Sequence, residues 1–342
     1  MTGGTTGTPR QVCYTRERYA ESVRVSREIL RGHGVGRRSA VLVCFPSDPW
    51  AIGGVFRDAA LACGARVLSL GLSAGDGGFA ELVADFRPTV LCGSADLLAY
   101  WGETVLAAAL PPRERPAVVF HAGEPLRATA RARCAAAWRA RVIDVYGMAE
   151  FDSVASEGPP GAGLVLSPHL YYALSVARDI APLDAGLEGE LLIRRSDMEP
   201  WHPTRDVVRV LGRNGPGERL WPGSWIIEHR HRADAALKLP DGSTVSTGPI
   251  RALALRFPEI EQWQLQVRRA PAGPAALRLL AVPTAGVAAP DREELAASFL
   301  TLCAEVADAV KHRAVTFEAT LVEGAALART TRGKVKHLVE VE

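Results

Sequence analysis

The feature that most constrains the fold is a repeated alternation of short apolar runs and longer segments with helical spacing between residues 39 and 146. The apolar runs predict strands at 39–44, 66–70, 88–92, 117–121 and 141–146, and the segments between them predict helices at 51–63, 77–86, 95–109 and 126–139. Strands that recur about every 25 residues with helices between them are typical of βαβ units and a largely parallel sheet. We therefore predict an α/β fold, preceded by a helix at 14–31 that Thr15 caps.

Two other patterns follow along the chain. After Glu157 a Gly/Pro-rich loop leads into short apolar runs that predict antiparallel strands at 164–166, 171–176, 188–193 and 206–210. Beyond residue 234 the pattern predicts a small α+β unit, with helices at 248–257 and 291–312 and strands near 262–268, 277–283 and 315–322. The predicted organisation is a large domain at 1–229, with a mainly parallel α/β part (1–157) and a β-rich part (158–229), and a small mobile domain at 230–342 that ends in a mobile tail.

Composition narrows the class of protein. Of the 342 residues 48% are hydrophobic and 23% are charged, and the net charge is +2, so nothing points to nucleic acid or a membrane surface as a partner. The sequence contains no apolar run long enough to cross a membrane and no apolar signal segment at its start. None of the six cysteines forms a C-x-x-C pair, so we expect buried free thiols in a cytoplasmic protein.

The segment Asp144–Glu150 is the strongest candidate site. The apolar run before it predicts a strand that Gly147 ends, which places Glu150 just past the strand. Ligands of open α/β sheets bind outside the carboxyl ends of the strands. A carboxylate at that position can hold Mg²⁺, and Tyr146 offers a flat face to a base. The competing interpretation is a turn with a solvated glutamate.

A second candidate is the loop Thr2–Arg10, which is rich in threonine and glycine. Its hydroxyl and N–H groups can turn toward phosphate oxygens. It lacks the lysine of a P-loop, and a disordered N-terminal tail has the same composition.

Taken in order, these segments make the sequence resemble the adenylate-forming ligases, and within them the phenylacetate–CoA ligase branch. The segments that carry the resemblance are Thr2–Pro9, Phe120–Leu126, Asp144–Glu150, Val154–Glu157, Pro203–Arg209, Arg232–Asp234 and Arg332–Lys334. They span nearly the whole chain.

The resemblance implies a role for each matching position. The phosphates of ATP would be held by Thr5, Thr6 and Gly7, and Glu150 would share Mg²⁺ with them. The adenine would be lined by Gly123, Glu124 and Pro125, with Tyr146 against its face, and Asp206 would bind the ribose. Arg232 would reach the ribose or the phosphates, and Asp144 and Gly147 are further ATP/AMP-binding residues. Lys334, Glu150 and Thr6 would be catalytic, and Asp234 would be the hinge residue. The acyl pocket would include Phe45, Asp48, Trp50 and Gly53.

The implied reaction has two halves. A carboxylic acid reacts with ATP to give an acyl-adenylate, and a thiol of CoA or of a carrier-protein pantetheine then displaces AMP. The implied cosubstrates are therefore ATP with Mg²⁺ and a thiol. A carrier protein and a second copy of the chain are further partners to consider. Transfer to a protein cysteine or an amine, and a non-catalytic subunit that keeps the fold, are the alternatives.

Several residues keep a competing interpretation. Lys334 could be a solvated tail residue, and Asp206 could pair with Arg205 or Arg209. His229 and His231 suggest a metal site, although such a pair is more often a strand edge, and His121 is a candidate core histidine. We expect Asp48 to meet an amino or hydroxyl group of the acid.

The sequence departs from the family pattern in two places. The phosphate loop begins at residue 2, whereas relatives carry a sizeable stretch before it, so we expect a shortened form or one half of a split enzyme. In the hinge segment, Ala235 replaces a second acidic residue.

Overall fold

The computed structural model describes residues 12–46, 51–70, 76–109, 116–232, 236–239, 244–268, 274–329 and 335–341. These residues form two compact units. The first contains the described residues up to Thr204 together with Val208–His229, and the second contains Arg205–Val207 and the described residues from Arg230 onward.

The first unit begins with the predicted alternation of helices and strands. Its elements are α1 (Arg16–Gly32), β1 (Ala40–Val43), α2 (Ala51–Ala62), β2 (Arg66–Ser69), α3 (Asp76–Phe86), β3 (Val90–Cys92), α4 (Ala95–Ala109), β4 (Val118–Ala122), α5 (Ala128–Trp138) and β5 (Arg141–Met148). The strands pair in parallel in the order β2-β1-β3-β4-β5. Thr15 caps α1, since its hydroxyl accepts from the backbone N–H of Arg18 at 3.2 Å.

Helices cover both faces of this parallel sheet, which explains why its inner strands β1 and β3 are continuously apolar. Alternate residues of β1 point to opposite faces, so Val41 and Val43 pack with Ile29 of α1 and Phe56 of α2. Leu42, between them, packs on the other side with residues of α3, α4 and α5. Two separate cores result, one on each side of the sheet.

The β-rich segment extends the same sheet with antiparallel strands. They are β6 (Asp152–Glu157), β7 (Leu164–Leu166), β8 (Tyr171–Val176), β9 (Asp179–Ala181), β10 (Glu188–Arg194), β11 (His202–Arg213) and β12 (Trp225–Arg232). In the described chain the full order is β2-β1-β3-β4-β5-β6-β7-β12-β11-β10-β8-β9, a mixed sheet of twelve strands. The α/β prediction is therefore confirmed, although the sequence did not predict β6, β9 or β12.

The second unit contains a small sheet of its own. Its elements are β13 (Ala236–Lys238), β14 (Thr244–Ser246), α6 (Gly248–Arg256), β15 (Ile260–Arg268), β16 (Ala275–Pro283), α7 (Arg292–Leu302), α8 (Ala304–Lys311), β17 (Val315–Leu321) and β18 (Leu338–Val341), with a 3₁₀ turn at Gly324–Ala326. Four described strands pair in the order β17-β16-β15-β18, and β13 pairs with β14.

Two predictions for this unit were wrong. A single helix was predicted at 291–312, but the backbone leaves the helical region at Cys303 and two helices form. Phe299 and Val306 are buried on either side of the break, so the apolar spacing continues across it and hides it in the sequence. The described end of the predicted mobile tail is also ordered, because the N–H of Lys336 donates to the carbonyl of Ala328 at 3.0 Å. Strand β18 then continues the sheet beside β15.

No helix among the described residues is both long and apolar enough to cross a membrane.

Candidate functional site

The strand β5 and the turn after it form the centre of the candidate site. The prediction that Gly147 ends the strand was wrong, because β5 continues to Met148 and pairs antiparallel with β6. The register shifts between Tyr146 and Gly147, as in a β-bulge. A Cβ atom at Gly147 would overlap the carbonyl oxygen of Asp152 on the facing strand. Glycine is thus required here by the close approach of two backbones, and the turn that follows presents Glu150.

We expect Gly147→Ala to lower the free energy of unfolding of the first unit by roughly 1–3 kcal/mol, because the added methyl group must push β5 and β6 apart. Thermal unfolding measures the change. Gly217→Ala is the matched control, since a Cβ at Gly217 meets no atom within 4 Å. Equal melting temperatures for the two variants would contradict the steric argument.

The backbone of the turn is held by two arginines. Arg18 of α1 donates through Nη2 to the carbonyl oxygens of Ala149, at 2.9 Å, and Glu150, at 2.5 Å. Arg195 adds a longer contact, 3.5 Å from its Nη1 to the Glu150 carbonyl oxygen. The carboxylate of Glu150 accepts no hydrogen bond and forms no ion pair within the described ranges. The two arginines therefore fix the backbone of Glu150 and leave its side chain available.

A half-buried carboxylate lies directly behind this turn. Asp152 accepts hydrogen bonds from the hydroxyls of Tyr14 and Ser22, and the Tyr14 hydroxyl also lies 3.0 Å from the Ala149 carbonyl oxygen. Burial raises the pKa of Asp152, and these hydrogen bonds oppose the rise. Burial and the Asp152 contact likewise raise the pKa of the Tyr14 hydroxyl. This cluster could not be predicted from the sequence, because Tyr14 and Asp152 are far apart in the chain.

A second charged group, centred on the buried carboxylate of Glu157, connects β5 to the neighbouring elements. Glu157 of β6 forms an ion pair with Arg131 of α5 at 2.6 Å, and the second Arg131 nitrogen lies 3.0 Å from its other oxygen. The same carboxylate accepts from the backbone N–H groups of Asp144 and Gly161, each at 2.9 Å. The segment Val154–Glu157 is one of those that carry the family resemblance, but the resemblance implies no role for Glu157. The structure shows that this carboxylate ties α5, β5 and the loop after β6 together.

Asp144 has an unusual acidity in this environment. Burial of its carboxyl group raises the pKa of Asp144 from 3.8 to about 7. The negative charge of Glu157 is the second cause of the rise, and the positive charge of Arg131 opposes it. The folded protein therefore keeps a proton on this group at pH values where the unfolded chain has lost it. The resulting stabilisation is complete below about pH 4 and is lost as the pH rises to about 7.

We expect Asp144→Asn to remove this dependence. The unfolding free energy of the variant, relative to the wild type, should rise by up to about 1.4 kcal/mol per pH unit between those limits and stay level above them. Chemical denaturation at half-unit pH steps measures the difference, and the exposed Asp179→Asn is the control. A difference that does not change with pH would show that folding does not raise the pKa of Asp144.

The segment predicted to bind adenine is a rigid turn after β4. His121 is buried, its Nδ1 accepts from the N–H of Ala95 at 3.0 Å, and its Nε2 lies 2.8 Å from the carbonyl oxygen of Glu124. The Glu124 carboxylate accepts from the hydroxyl of Ser94 at 2.8 Å. Gly123 has a φ of +92°, which only glycine adopts readily, and it leads into Pro125. His121 is thus a hydrogen-bonded core histidine, as predicted from the sequence.

Of the other candidates, Tyr146 and Asp206 have aromatic or charged neighbours. The ring of Tyr146 lies 6.2 Å from that of His229, centroid to centroid. Asp206 is 5% exposed and forms an ion pair with Arg232, at 3.5 Å. The resemblance assigns Asp206 to the ribose, and Arg232 to the ribose or the phosphates.

The pocket and loop candidates divide into two groups. Phe45 is buried against Phe56, with ring centroids 5.0 Å apart, and the N–H of Gly53 donates to the carbonyl of Pro46 at 3.2 Å. In the described part of the chain, Phe45 therefore belongs to the core. The remaining candidates lie outside the described residues: Thr5, Thr6, Gly7, Asp48, Trp50, Asp234 and Lys334.

The family model described as "AMP-binding enzyme" matches residues 1–199, which is more than half of the chain. The chain belongs to the AMP-binding enzyme family. No curated protein sequence matches it significantly.

Solved structures show the same fold as this AMP-binding enzyme. 2-Hydroxyisobutyryl-CoA ligase in its postadenylation state matches with a TM-score of 0.73 at 16% identity, over 96% of this chain and 70% of that chain. ATP-bound MatB from Rhodopseudomonas palustris matches with a TM-score of 0.70 at 16% identity, over 98% and 65%. The amide bond synthetase McbA from Marinactinospora thermotolerans matches with a TM-score of 0.70 at 18% identity, over 96% and 65%. The architecture is therefore that of the adenylate-forming ligases.

The donor set of this AMP-binding enzyme fits Mg²⁺ held jointly with a nucleotide. Among the described residues no group of three or more His, Cys, Asp or Glu side chains could hold a metal ion, which leaves the His229 and His231 hypothesis without further ligands. Mg²⁺ needs no such group, since proteins usually hold it with one or two carboxylates together with substrate phosphates and water. The available carboxylate of Glu150, on a fixed backbone, meets that requirement.

Proposed function

We propose that this protein activates a carboxylic acid with ATP as an acyl-adenylate and then transfers the acyl group to a thiol. CoA is the thiol that we propose. The observation that carries the proposal is the turn after β5, where Arg18 and Arg195 hold the backbone of Glu150 and its carboxylate has no described partner. Family membership and the ligase fold support the same reaction.

In the first half-reaction, an oxygen of the acid attacks the α-phosphorus of ATP, and the bond to pyrophosphate breaks. Bound Mg²⁺ would neutralise phosphate charge in this step. Glu150 would hold the ion, Tyr146 would stack on the adenine, and the turn Gly123–Pro125 would line its edge. Asp206, with its partner Arg232, would bind the ribose hydroxyls. Thr5, Thr6 and Gly7 are proposed for the phosphates, Lys334 for the reacting carboxylate, and Asp234 as the hinge residue.

In the second half-reaction, the sulfur of the thiol attacks the acyl carbonyl, and AMP leaves with the bonding electrons. CoA is the proposed acceptor because one of the similar structures is named a CoA ligase, 2-hydroxyisobutyryl-CoA ligase. An amine or a carrier-protein pantetheine is the alternative, and the similarity to an amide bond synthetase supports the amine. From the resemblance to the phenylacetate–CoA ligase branch, we propose an aryl or small acyl acid as substrate, and a cytoplasmic location with it.

The test is ATP–pyrophosphate exchange across a panel of aryl, amino and short-chain acids, with the purified full chain. Exchange with at least one acid supports adenylation, and AMP release on addition of CoA, carrier protein or an amine then identifies the acceptor. ATP binding without exchange for any acid would instead indicate a non-catalytic subunit that keeps the fold.

A further inference from the structure

A basic cleft lies at the far end of α1 from the Glu150 turn. It has a volume of about 630 Å³ and lies between α1 and the loop that joins β11 to β12. Its lining includes Arg24, Arg27, Glu28 and Arg31 of α1, and Arg219 and Trp221 of the facing loop. Arg31 follows Arg18 by thirteen residues, so at 1.5 Å per residue the two lie about 20 Å apart along the helix. The cleft is therefore separate from the candidate site.

The walls of this cleft are fixed by specific contacts. Trp221 donates through Nε1 to the Glu28 carboxylate at 2.9 Å, which joins the loop to α1. The amide of Asn214 donates to the carbonyls of Leu220 and Trp221 and so closes the loop on itself. Gly32 lets the loop approach, since a Cβ there would lie 3.2 Å from the Leu220 side chain. The cleft is a built feature of the first unit.

Three of the four arginines that line the cleft have no acidic partner among the described residues. Glu28 is the carboxylate in the lining, and it is already engaged by Arg24, at 3.0 Å, and by His169, at 2.7 Å. The side chains of Arg27, Arg31 and Arg219 form no hydrogen bond or ion pair with any residue that the structure describes. The Nε atom of Arg27 is in addition buried without a partner. In a chain with a net charge of only +2, this is a local excess of positive charge.

The position of α1 accounts for part of this excess. The C-terminal end of a helix stabilises nearby cations, which lets Arg27 and Arg31 lie close together. That effect does not explain Arg219, which comes from the facing loop. Guanidinium groups that converge from two sides are suited to a dianion with several acceptor oxygens, because each can donate two parallel hydrogen bonds.

We propose that this cleft binds a small phosphate-containing anion, with Arg27, Arg31 and Arg219 as the ligands of the phosphate group. The volume falls within the range of small-molecule sites, which run from about 300 to 1,000 Å³. The phosphate could be inorganic or part of a nucleotide, and the two sources share the chemistry that the arginines recognise. The proposal does not depend on the adenylation activity.

The test is calorimetric titration of the full chain with two probes, pyrophosphate and adenosine 3′,5′-bisphosphate. Saturating AMP is included so that the proposed adenylate site is filled, and Mg²⁺ is omitted. We expect the triple variant Arg27→Gln, Arg31→Gln, Arg219→Gln to bind at least one probe at least tenfold more weakly than the wild type. Loss of both probes means that the phosphate group suffices, and loss of the nucleotide alone means that its nucleoside is also recognised.

The matched control removes the same charge elsewhere, through Arg38→Gln, Arg139→Gln and Arg292→Gln, all at exposed positions. It should bind both probes as the wild type does. Because Arg27 is half-buried, the double variant Arg31→Gln, Arg219→Gln, which changes exposed side chains only, is measured beside the triple and should weaken binding at least threefold. Equal dissociation constants for the cleft and control variants would overturn the proposal. If no acid supports pyrophosphate exchange but the cleft variants still lose the probe, the proposed function fails and the cleft site stands.

Discussion

Replacing Arg131 by methionine should destabilise the first unit by about 3–5 kcal/mol, because it leaves a buried carboxylate without its cation. The side chain of Glu157 is 5% exposed and that of Arg131 is 25% exposed, and two nitrogen–oxygen contacts of 2.6 and 3.0 Å join them. Methionine keeps most of the aliphatic volume, so the change tests the charge more than the packing. Scanning calorimetry, which resolves separate transitions, measures the effect.

The helix α5 supplies a matched control. Arg133 forms an ion pair with Glu103 at 2.7 Å, in which the side chains are 34% and 42% exposed. Water screens such a pair, so Arg133→Met should cost less than about 1 kcal/mol. The double variant Arg131→Met, Glu157→Met should recover much of the lost stability, because no buried charge then remains. If Arg131→Met were as mild as Arg133→Met, the Glu157 group would contribute little to stability.

The parallel part of the sheet could be predicted from the sequence because helices cover both of its faces. Strands such as β1 and β4 are buried at every residue, so their apolar runs stand out from the helices between them. The strand β6 was missed for the opposite reason. It reads Asp-Ser-Val-Ala-Ser-Glu, and its polar groups are buried only because partners elsewhere satisfy them, for example Ser26 beside Ser153 at 3.0 Å.

The candidate site was predicted unevenly, and the reason is sequence separation. The Glu150 turn follows a strand directly, so its placement at the carboxyl end of that strand could be inferred from the order of residues alone. The contacts that fix it could not, because Arg18 lies 132 residues from Glu150 and nothing in the composition of α1 sets this arginine apart. The ion pair of Asp206 with Arg232 shows the same limit, since the two residues lie on different strands and are distant in the chain.

Replacing Glu150 by glutamine should lower ATP–pyrophosphate exchange at least about 100-fold, which corresponds to about 3 kcal/mol of transition-state stabilisation. The amide has nearly the shape of the carboxylate but lacks the charge that would hold Mg²⁺ beside the phosphates. The backbone of the turn is held through its carbonyl oxygens by Arg18 and Arg195, so the substitution leaves those contacts in place. Folding stability should therefore change little, and the loss should appear in the rate.

The Mg²⁺ dependence separates a metal ligand from a residue that merely shapes the turn. If Glu150 holds the ion, the variant should need a much higher Mg²⁺ concentration for half-maximal exchange, whereas Glu81→Gln, at an exposed position of α3, should titrate as the wild type does. A loss of exchange with an unchanged Mg²⁺ requirement would remove Glu150 from the metal site. Arg18→Gln completes the comparison, because it frees the turn but keeps the carboxylate. If the turn acts by positioning Glu150, the Arg18→Gln variant should lose less of the exchange rate than Glu150→Gln does. It should also regain part of that rate at high Mg²⁺, because excess ion compensates for a carboxylate that is present but poorly positioned.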